Sequence, residues 1–473
     1  MAVIGIIYIS CTKKGAPLKP PEVNIPNVPA LPTKTDVEFW LTESDKSVLF
    51  KQQNTSLLFS NSTNSLPTIE VDTSDTYQTI DGFGYTLTDG SATHINSLAP
   101  AVKDALLQEL FATDNSNIGV SYLRISIGAS DLSVEPYSYN DLPLGSTDVD
   151  MKSFSIDKEK TDLIPILKKI IAINPTIKIL GSPWSAPVWM KTNNSFKGGS
   201  LKPEYYQVYS QYLVKYIQAM KANGITIDAI TPQNEPLHGG NNPSMVMQAV
   251  EQASFIKELG PAFKTASITT KIIAYDHNAD RPDYPMTIFA DAEASKYVDG
   301  SAFHLYGGSI GALSQVHNAY PNKNVYFTEQ WVGGPGNFGG DLQWHTENLI
   351  IGATRNWSRN VLEWNLAADE NYRPYTEGGC STCLGALTVN SSVTRNVSYY
   401  IIAHAAKFVR PGSIRINSNL VSDLPNVAFK TPAGQKVPIV LNKSNNIKNF
   451  NIKFNGKITS INLNGGAVGT FVW

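Results

Sequence analysis

Between residues 82 and 365, short apolar strand-like runs alternate with longer stretches of helical spacing, and this alternation restricts the fold more than any other property of the chain. Strand-like runs fall at 82–87, 119–127 (GVSYLRISI), 176–180, 225–231, 272–275, 300–303, 325–328 and 361–365. Helical spacing of Leu and Ile is clear at 162–173, and long helices are predicted over 203–222 and 244–260, the first stopped by Asn223-Gly224. Strands separated by helices pair in parallel and bury both faces. Eight such units point to a closed (β/α)8 TIM barrel rather than an open sheet.

From about residue 412 the pattern changes. Short alternating strands are predicted at 413–416, 427–430, 437–441, 449–454, 458–463 and 470–473, separated by turns such as Asn455-Gly456 and Asn464-Gly465-Gly466, with no helix among them. This is the pattern of a small antiparallel β-sandwich. Runs at 37–41, 56–59 and 68–72 have the same character, so the sandwich is expected to draw strands from both ends of the chain.

The N-terminus reads as a targeting segment. The apolar run from Ala2 to Ile9 is too short to span a bilayer and suits a secretion signal. Ile9-Ser10-Cys11 has the form of a bacterial lipoprotein cleavage site, so a lipid anchor at Cys11 and export are expected. Six prolines between residues 15 and 36 make an extended tether. The expected organisation is a signal segment at 1–11, a tether at 12–36, sandwich strands at 37–77, the barrel at 78–408 and the rest of the sandwich at 409–473. Cys380 and Cys383 form a C-x-x-C pair with no second pair for zinc, which leaves a local disulfide or two free loop thiols. With 38 basic against 40 acidic residues and no long basic run, nucleic acid is not an expected partner.

Barrel enzymes place their reacting groups where strands end on the C-terminal face. Two strand ends carry a carboxylate: the fourth runs Ala229-Ile230-Thr231-Pro232-Gln233-Asn234-Glu235-Pro236, and the seventh runs Val325-Tyr326-Phe327-Thr328-Glu329. Strands four and seven lie on opposite sides of an eight-stranded barrel, so the two acids face each other across the mouth. Glycosidic cleavage needs one acid to protonate the leaving oxygen and a second group at the anomeric carbon. A separation of about 5–5.5 Å gives retention, and about 6.5–9.5 Å leaves room for water and gives inversion.

These residues resemble glycoside hydrolase family 30, in particular its glucosylceramidase and endo-β-1,6-glucanase-like branch. The resemblance rests on Gly82-Phe83-Gly84, Leu123-Arg124-Ile125 followed by Ser130-Asp131-Leu132-Ser133, the run from Ser182-Pro183-Trp184 to Lys191-Thr192-Asn193, Gln233-Asn234-Glu235-Pro236, Phe303-His304-Leu305-Tyr306, Phe327-Thr328-Glu329 and Glu363-Trp364-Asn365. It implies a retaining β-glycosidase with Glu235 as general acid/base and Glu329 as nucleophile. It implies that Asn234 holds the sugar 2-hydroxyl, that Asp131, Trp184 and Trp364 line the sugar pocket, and that Arg124 and Tyr306 stand beside the nucleophile. Arg124 is expected to lower the pKa of Glu329 while Glu235 stays protonated. His304 is given no role, and Asp89 is expected to cap a helix.

The resemblance implies no metal and no cofactor. The expected partner is a β-glucan oligosaccharide or polysaccharide, or a simple β-glucoside. The segment after Glu235 lacks the aromatic residues of the lysosomal pattern, which favours a polysaccharide over a lipid glycoside. The alternatives are a β-xylosidase or xylanase of the same family, and a surface glycan-binding protein without catalysis.

Overall fold

The computed structural model describes residues 34–473. The signal segment, Cys11 and almost all of the tether lie outside the described residues.

Eight parallel strands close into a barrel: β1 Gly82–Thr86, β2 Tyr122–Ser126, β3 Lys178–Ser182, β4 Ala229–Ile230, β5 Lys271–Ala279, β6 Val298–Gly308, β7 Asn324–Glu329 and β8 Ser358–Asn365. β8 pairs back onto β1 and completes the ring. β4 is far shorter than the predicted 225–231. Its lead-in is held by a side chain instead: the Asp228 carboxylate accepts the Ile179 N–H, at 3.0 Å, where a strand carbonyl would otherwise stand. At Gly84 an added Cβ would lie 1.9 Å from the Tyr122 carbonyl oxygen, so the approach of β1 to β2 needs glycine there.

The helices depart from prediction at their starts. The one expected over 203–222 opens with a 3-10 turn, Pro203–Tyr205, and is α-helical over Tyr206–Ala222. The one expected over 244–260 runs instead over Ala249–Thr265. Its start is set by a cap: the Gln248 N–H donates to the Glu251 carboxylate at 2.6 Å. Asp89 is not the cap of its helix, Asp89–Ser97. Thr88 is, accepting from the Ser91 N–H, and Asp89 instead accepts the Ser133 hydroxyl at 2.8 Å.

Inside the barrel, inward positions form two layers of opposite character. The lower is apolar: Tyr122, Leu180, Ala229, Ile273, Ala302, Tyr326 and Leu362, each from a different strand. One inward step toward the strand C-termini, the corresponding residues are Arg124, Ser182, Thr231, Asp276, His304 and Thr328, all fully or almost fully buried. Such a layer is stable only if its members satisfy one another.

The sandwich takes strands from both chain ends, in the order Lys51–Gln52, Glu38–Thr42, Val468–Val472, Lys436–Leu441, Asn426–Lys430, Ile414–Ser418, Thr68–Thr79, Lys448–Phe454 and Lys457–Leu463. All pairings are antiparallel except Thr68–Glu70 with Asn451–Lys453. Thr68–Thr79 runs across the expected boundary at 77/78. It pairs with one layer at its start and the other at its end, and so joins them. Residues 56–59 form no strand; the Leu57 carbonyl instead accepts the N–H groups of Asp36 and Val37.

The central sheet is buried on both faces. Phe39, Leu41, Ala428, Val440 and Phe471 point into the sandwich core. The residues alternating with them, Trp40, Val427, Phe429, Ile439, Leu441 and Val472, belong to the core that continues into the barrel. Each large side chain buried at such a junction contributes about 1.5–3 kcal/mol, so the sandwich is a fixed part of the barrel wall. Among the described residues, no helix is long and apolar enough to cross a membrane.

Candidate active site

A cleft of about 700 Å³ opens at the C-terminal mouth of the barrel. Asp131, Trp184, Asn234, Glu235, Tyr306, Glu329 and Trp364 all line it. The eighth expected site residue, Arg124, lies directly beneath, fully buried. The strands and their following loops deliver these groups from six directions. Arg124 is on β2, with Asp131 in the loop after it. Trp184 follows β3, Asn234 and Glu235 follow β4, Tyr306 is on β6, Glu329 ends β7 and Trp364 is on β8.

Glu235 and Glu329 converge. Both are mostly buried, and together with His304 each offers an atom within 4.8 Å of the others'. Glu235 sits at φ +46, a conformation a non-glycine residue adopts only when its surroundings hold it there. The hold is its N–H, which donates to the Asp276 carbonyl at 2.9 Å. Gln233 ties the two flanking loops together by donating to the Trp184 carbonyl at 2.8 Å.

Glu329 is gripped on both oxygens. Arg124 Nη1 donates to Oε2 at 2.5 Å, and the Tyr306 hydroxyl donates to Oε1 at 2.9 Å. Arg124 Nη2 donates to Asn234 Oδ1 at 2.5 Å and to Asp276 Oδ2 at 2.8 Å. Guanidinium has only donors, so the Asn234 oxygen must face it, which turns the Asn234 NH2 toward the cleft. The Arg124 guanidinium also lies 4.8 Å from the ring centre of Trp184, which packs 5.4 Å from Trp364.

Two further groups matter here: Asp276, which the sequence reading does not name, and His304, to which it gives no role. Asp276, on β5, is fully buried and accepts from Arg124, from Thr328 at 2.6 Å, from Thr231 at 2.8 Å and from Ser182 at 3.0 Å. Burial is the largest influence, but the Arg124 charge, the hydrogen bond and charge of His304 and the Thr328 hydrogen bond together outweigh it and hold the pKa far below the ordinary carboxylate range. His304 places Nδ1 3.1 Å from Glu235 Oε1 and Nε2 3.1 Å from Asp276 Oδ1. The predicted strand 272–275 stops one residue short of Asp276, whereas β5 continues to Ala279 with Asp276 inside it, at φ +72 beside a register shift.

The proton balance reverses one expectation. Burial is the largest influence on Glu329 and leaves its pKa raised, despite the opposing charges of His304 and Arg124. Burial also acts on Glu235, but the His304 hydrogen bond and charge outweigh it, and the pKa is lowered. The cause is position: His304 Nδ1 lies 3.1 Å from Glu235 and 3.8 Å from Glu329. Burial, then the charges of Glu329 and Glu235, pushes Asp131 up to about 7. Two buried cations, Arg124 and His304, thus face four carboxyl groups, and Asp276 is the strongest acid among them. Near-neutrality then needs one further carboxylate ionised, so the Glu235–Glu329 pair titrates jointly and retains a proton.

Cys380 and Cys383 are joined in a disulfide, and both line the cleft. Among the described residues the one grouping with metal-ligand geometry is Glu235, His304 and Glu329 themselves.

Comparison with known proteins follows the same lines. The description "Glycosyl hydrolase family 30 TIM-barrel domain" matches residues 80–409, and "Glycosyl hydrolase family 30 beta sandwich domain" matches residues 412–471. The chain is 36% identical to endo-1,6-beta-D-glucanase neg1 of Aspergillus fumigatus over 408 residues, covering 80% of this chain and 81% of the relative. It is 28% identical to mouse lysosomal acid glucosylceramidase over 407 residues, covering 78% and 76%. The solved structure described as the endo-beta1,6-glucanase BT3312 superposes with a TM-score of 0.86 at 36% identity, covering 93% of this chain and 99% of that one. A barrel, a sandwich and a cleft with two converging glutamates, matched along both domains, make this chain a member of glycosyl hydrolase family 30 and a glycosidase.

Proposed function

We propose that this protein is a retaining endo-β-1,6-glucanase in which Glu329 is the nucleophile and Glu235 the general acid/base. The observation that carries the reading is that one oxygen of each carboxylate lies within 4.8 Å of the other, closer than the separation of about 6.5–9.5 Å at which a water fits between acid and base. In the first step Glu329 attacks the anomeric carbon, the bond to the leaving oxygen breaks, and Glu235 gives that oxygen its proton. In the second, water attacks the glycosyl-enzyme ester while Glu235 takes a proton from it. Positive charge developing at the anomeric carbon stabilises ionised Glu329 and moves the shared proton to Glu235, the ordering the reaction needs. The Asn234 NH2 is available to the sugar 2-hydroxyl, Asp131 to another hydroxyl, and Trp184 and Trp364 to the ring face.

The 1,6-linkage is supported by identities of 36% with both the fungal glucanase and the solved glucanase, against 28% with the mouse glucosylceramidase. The test is product analysis on pustulan, laminarin and glucosylceramide side by side. Oligosaccharides released from pustulan, with Glu329→Gln slowed about 10⁴-fold or more, are the expected result. Faster turnover of glucosylceramide would overturn the glucan reading, and an undiminished Glu329→Gln rate would overturn the mechanism. Export with a lipid on Cys11 is part of the same proposal, supported by the 2–9 apolar run before Ser10-Cys11. Loss of membrane association in Cys11→Ala checks it.

A further inference from the structure

We infer that the Cys380–Cys383 disulfide is a positioning element of the sugar pocket, holding Asp131 and the aromatic wall of the cleft; the inference rests on the glycan-cleaving reading of that cleft. The segment from Thr376 to Cys383 is pressed onto Asp131. The Thr376 N–H donates to the Asp131 carbonyl at 3.0 Å. An added Cβ at Gly379 would lie 2.3 Å from that same carbonyl oxygen, so the segment cannot be closer or carry a side chain there. The Cys380 N–H faces the Asp131 carboxylate and offsets part of the burial acting on it. At its other end the segment is stitched to the chain just beyond Glu329: Gly333 pairs with Cys383, Val332 with Leu384, and the Gly334 N–H donates to the Thr382 carbonyl at 2.7 Å.

Between those anchors the restraints are few: the Gly379 N–H donates to the Thr376 carbonyl at 2.9 Å, and Asn242 Nδ2 donates to the Glu377 carbonyl at 3.2 Å. Thr376 and Cys383 are buried, whereas Glu377, Gly378, Ser381 and Thr382 are exposed. Cys383 is wedged among Leu132, Trp184 and Trp364, the aromatic wall of the pocket. The bridge therefore ties half-exposed Cys380, which faces Asp131, to a sulfur fixed in that wall. Opening it frees the stretch that sets the depth of Asp131 and removes a covalent link between the part of this segment that lies on Asp131 and the part that pairs with the chain beyond Glu329. A misplacement of about 1 Å in a sugar-binding group is enough to slow catalysis about 100-fold.

The test treats the full chain with tris(2-carboxyethyl)phosphine; the disulfide gains two electrons and two protons to give two thiols, and the phosphine is oxidised to its oxide with oxygen from water. Thiols are counted, and kcat/KM is measured on pustulan and on 4-nitrophenyl β-D-glucoside, before and after reduction and in the double variant Cys380→Ala/Cys383→Ala. The expected result is two new thiols, a fall in kcat/KM of about 10- to 100-fold in the reduced enzyme and in the variant, and a retained cooperative thermal transition. A kcat/KM within about twofold of the oxidised wild type in both forms overturns the inference. Loss of the thermal transition also overturns it, because the bridge would then support the fold and not the pocket. A wrong glucan assignment shows separately, as failure of the untreated enzyme on pustulan, while the ratio on the nitrophenyl glucoside still judges the bridge.

Discussion

The mouth of the barrel and the joint between barrel and sandwich each bury a histidine almost completely, and they do opposite things with it. At the joint, His404 stands between two threonines: Nδ1 is 2.9 Å from Thr470 Oγ1 and Nε2 is 2.8 Å from Thr42 Oγ1. The Thr470 hydroxyl spends its proton on the His404 carbonyl, at 3.0 Å, so its oxygen must accept from Nδ1–H. Thr42 then donates to a bare Nε2, and the ring is neutral. Burial alone accounts for its pKa, lowered to about 3. At the mouth, both nitrogens of His304 meet carboxylates, which only accept, so both carry protons. Burial opposes that charge, but Glu329, Asp276 and Glu235 overcome it and raise the pKa to about 9. The partners, not the depth of burial, decide the charge. The joint is built for stability, and the mouth keeps mobile protons beside a substrate.

The largest break in this contrast is expected from Asp276→Asn. It removes the anion shared by Arg124 and His304 and leaves buried cations short of partners. A loss of about 100-fold in kcat and an altered pH–rate profile are expected, measured on pustulan across pH. An unchanged profile would show that the mouth does not depend on this charge. A smaller effect is expected at the joint. Thr470→Val leaves His404 Nδ1 without its acceptor and costs about 1–3 kcal/mol of stability by denaturant unfolding, with kcat unchanged.

The finest discrimination is in the pH dependence of stability. His304 has a folded pKa of about 9 against an ordinary 6.5, so its contribution is complete below 6.5 and is lost as pH rises through 9. For His404 the folded pKa is about 3. The unfolded chain then takes up a proton that the folded one refuses, and stability falls as pH drops from 6.5 toward 3. Thermal melts should therefore decline on both sides, and Asp276→Asn should flatten the alkaline decline alone. An alkaline decline of wild-type size in that variant would separate the His304 charge from Asp276.

Much of this molecule is legible in local pattern. Eight apolar runs alternating with helical spacing imply the barrel, and glutamates directly after the fourth and seventh runs imply an acid pair across its mouth. The two-residue pairing at β4 was hidden because Asp228 substitutes a side chain for a ladder bond, which no periodicity records. The predicted helix start at 244 failed because a cap at Gln248 and Glu251, and not the apolar pattern, sets where that helix begins. Asp276 is hidden for a related reason: it lies inside β5, at φ +72 beside a register shift, and no alternating pattern records the kink that turns its side chain into the barrel.

The sequence by itself determined the alternation of elements, the two-ended sandwich and the identity of the facing acids, because each is written in spacing and in residue type along the chain. Only the tertiary structure decided that Asp276 joins Arg124 to His304, that His304 rather than Arg124 dominates the proton balance, and that Cys380 lies against Asp131. These depend on which side chains meet across strands far apart in the chain, and charge interactions in a dry interior depend on separations of a few tenths of an ångström that no local pattern encodes.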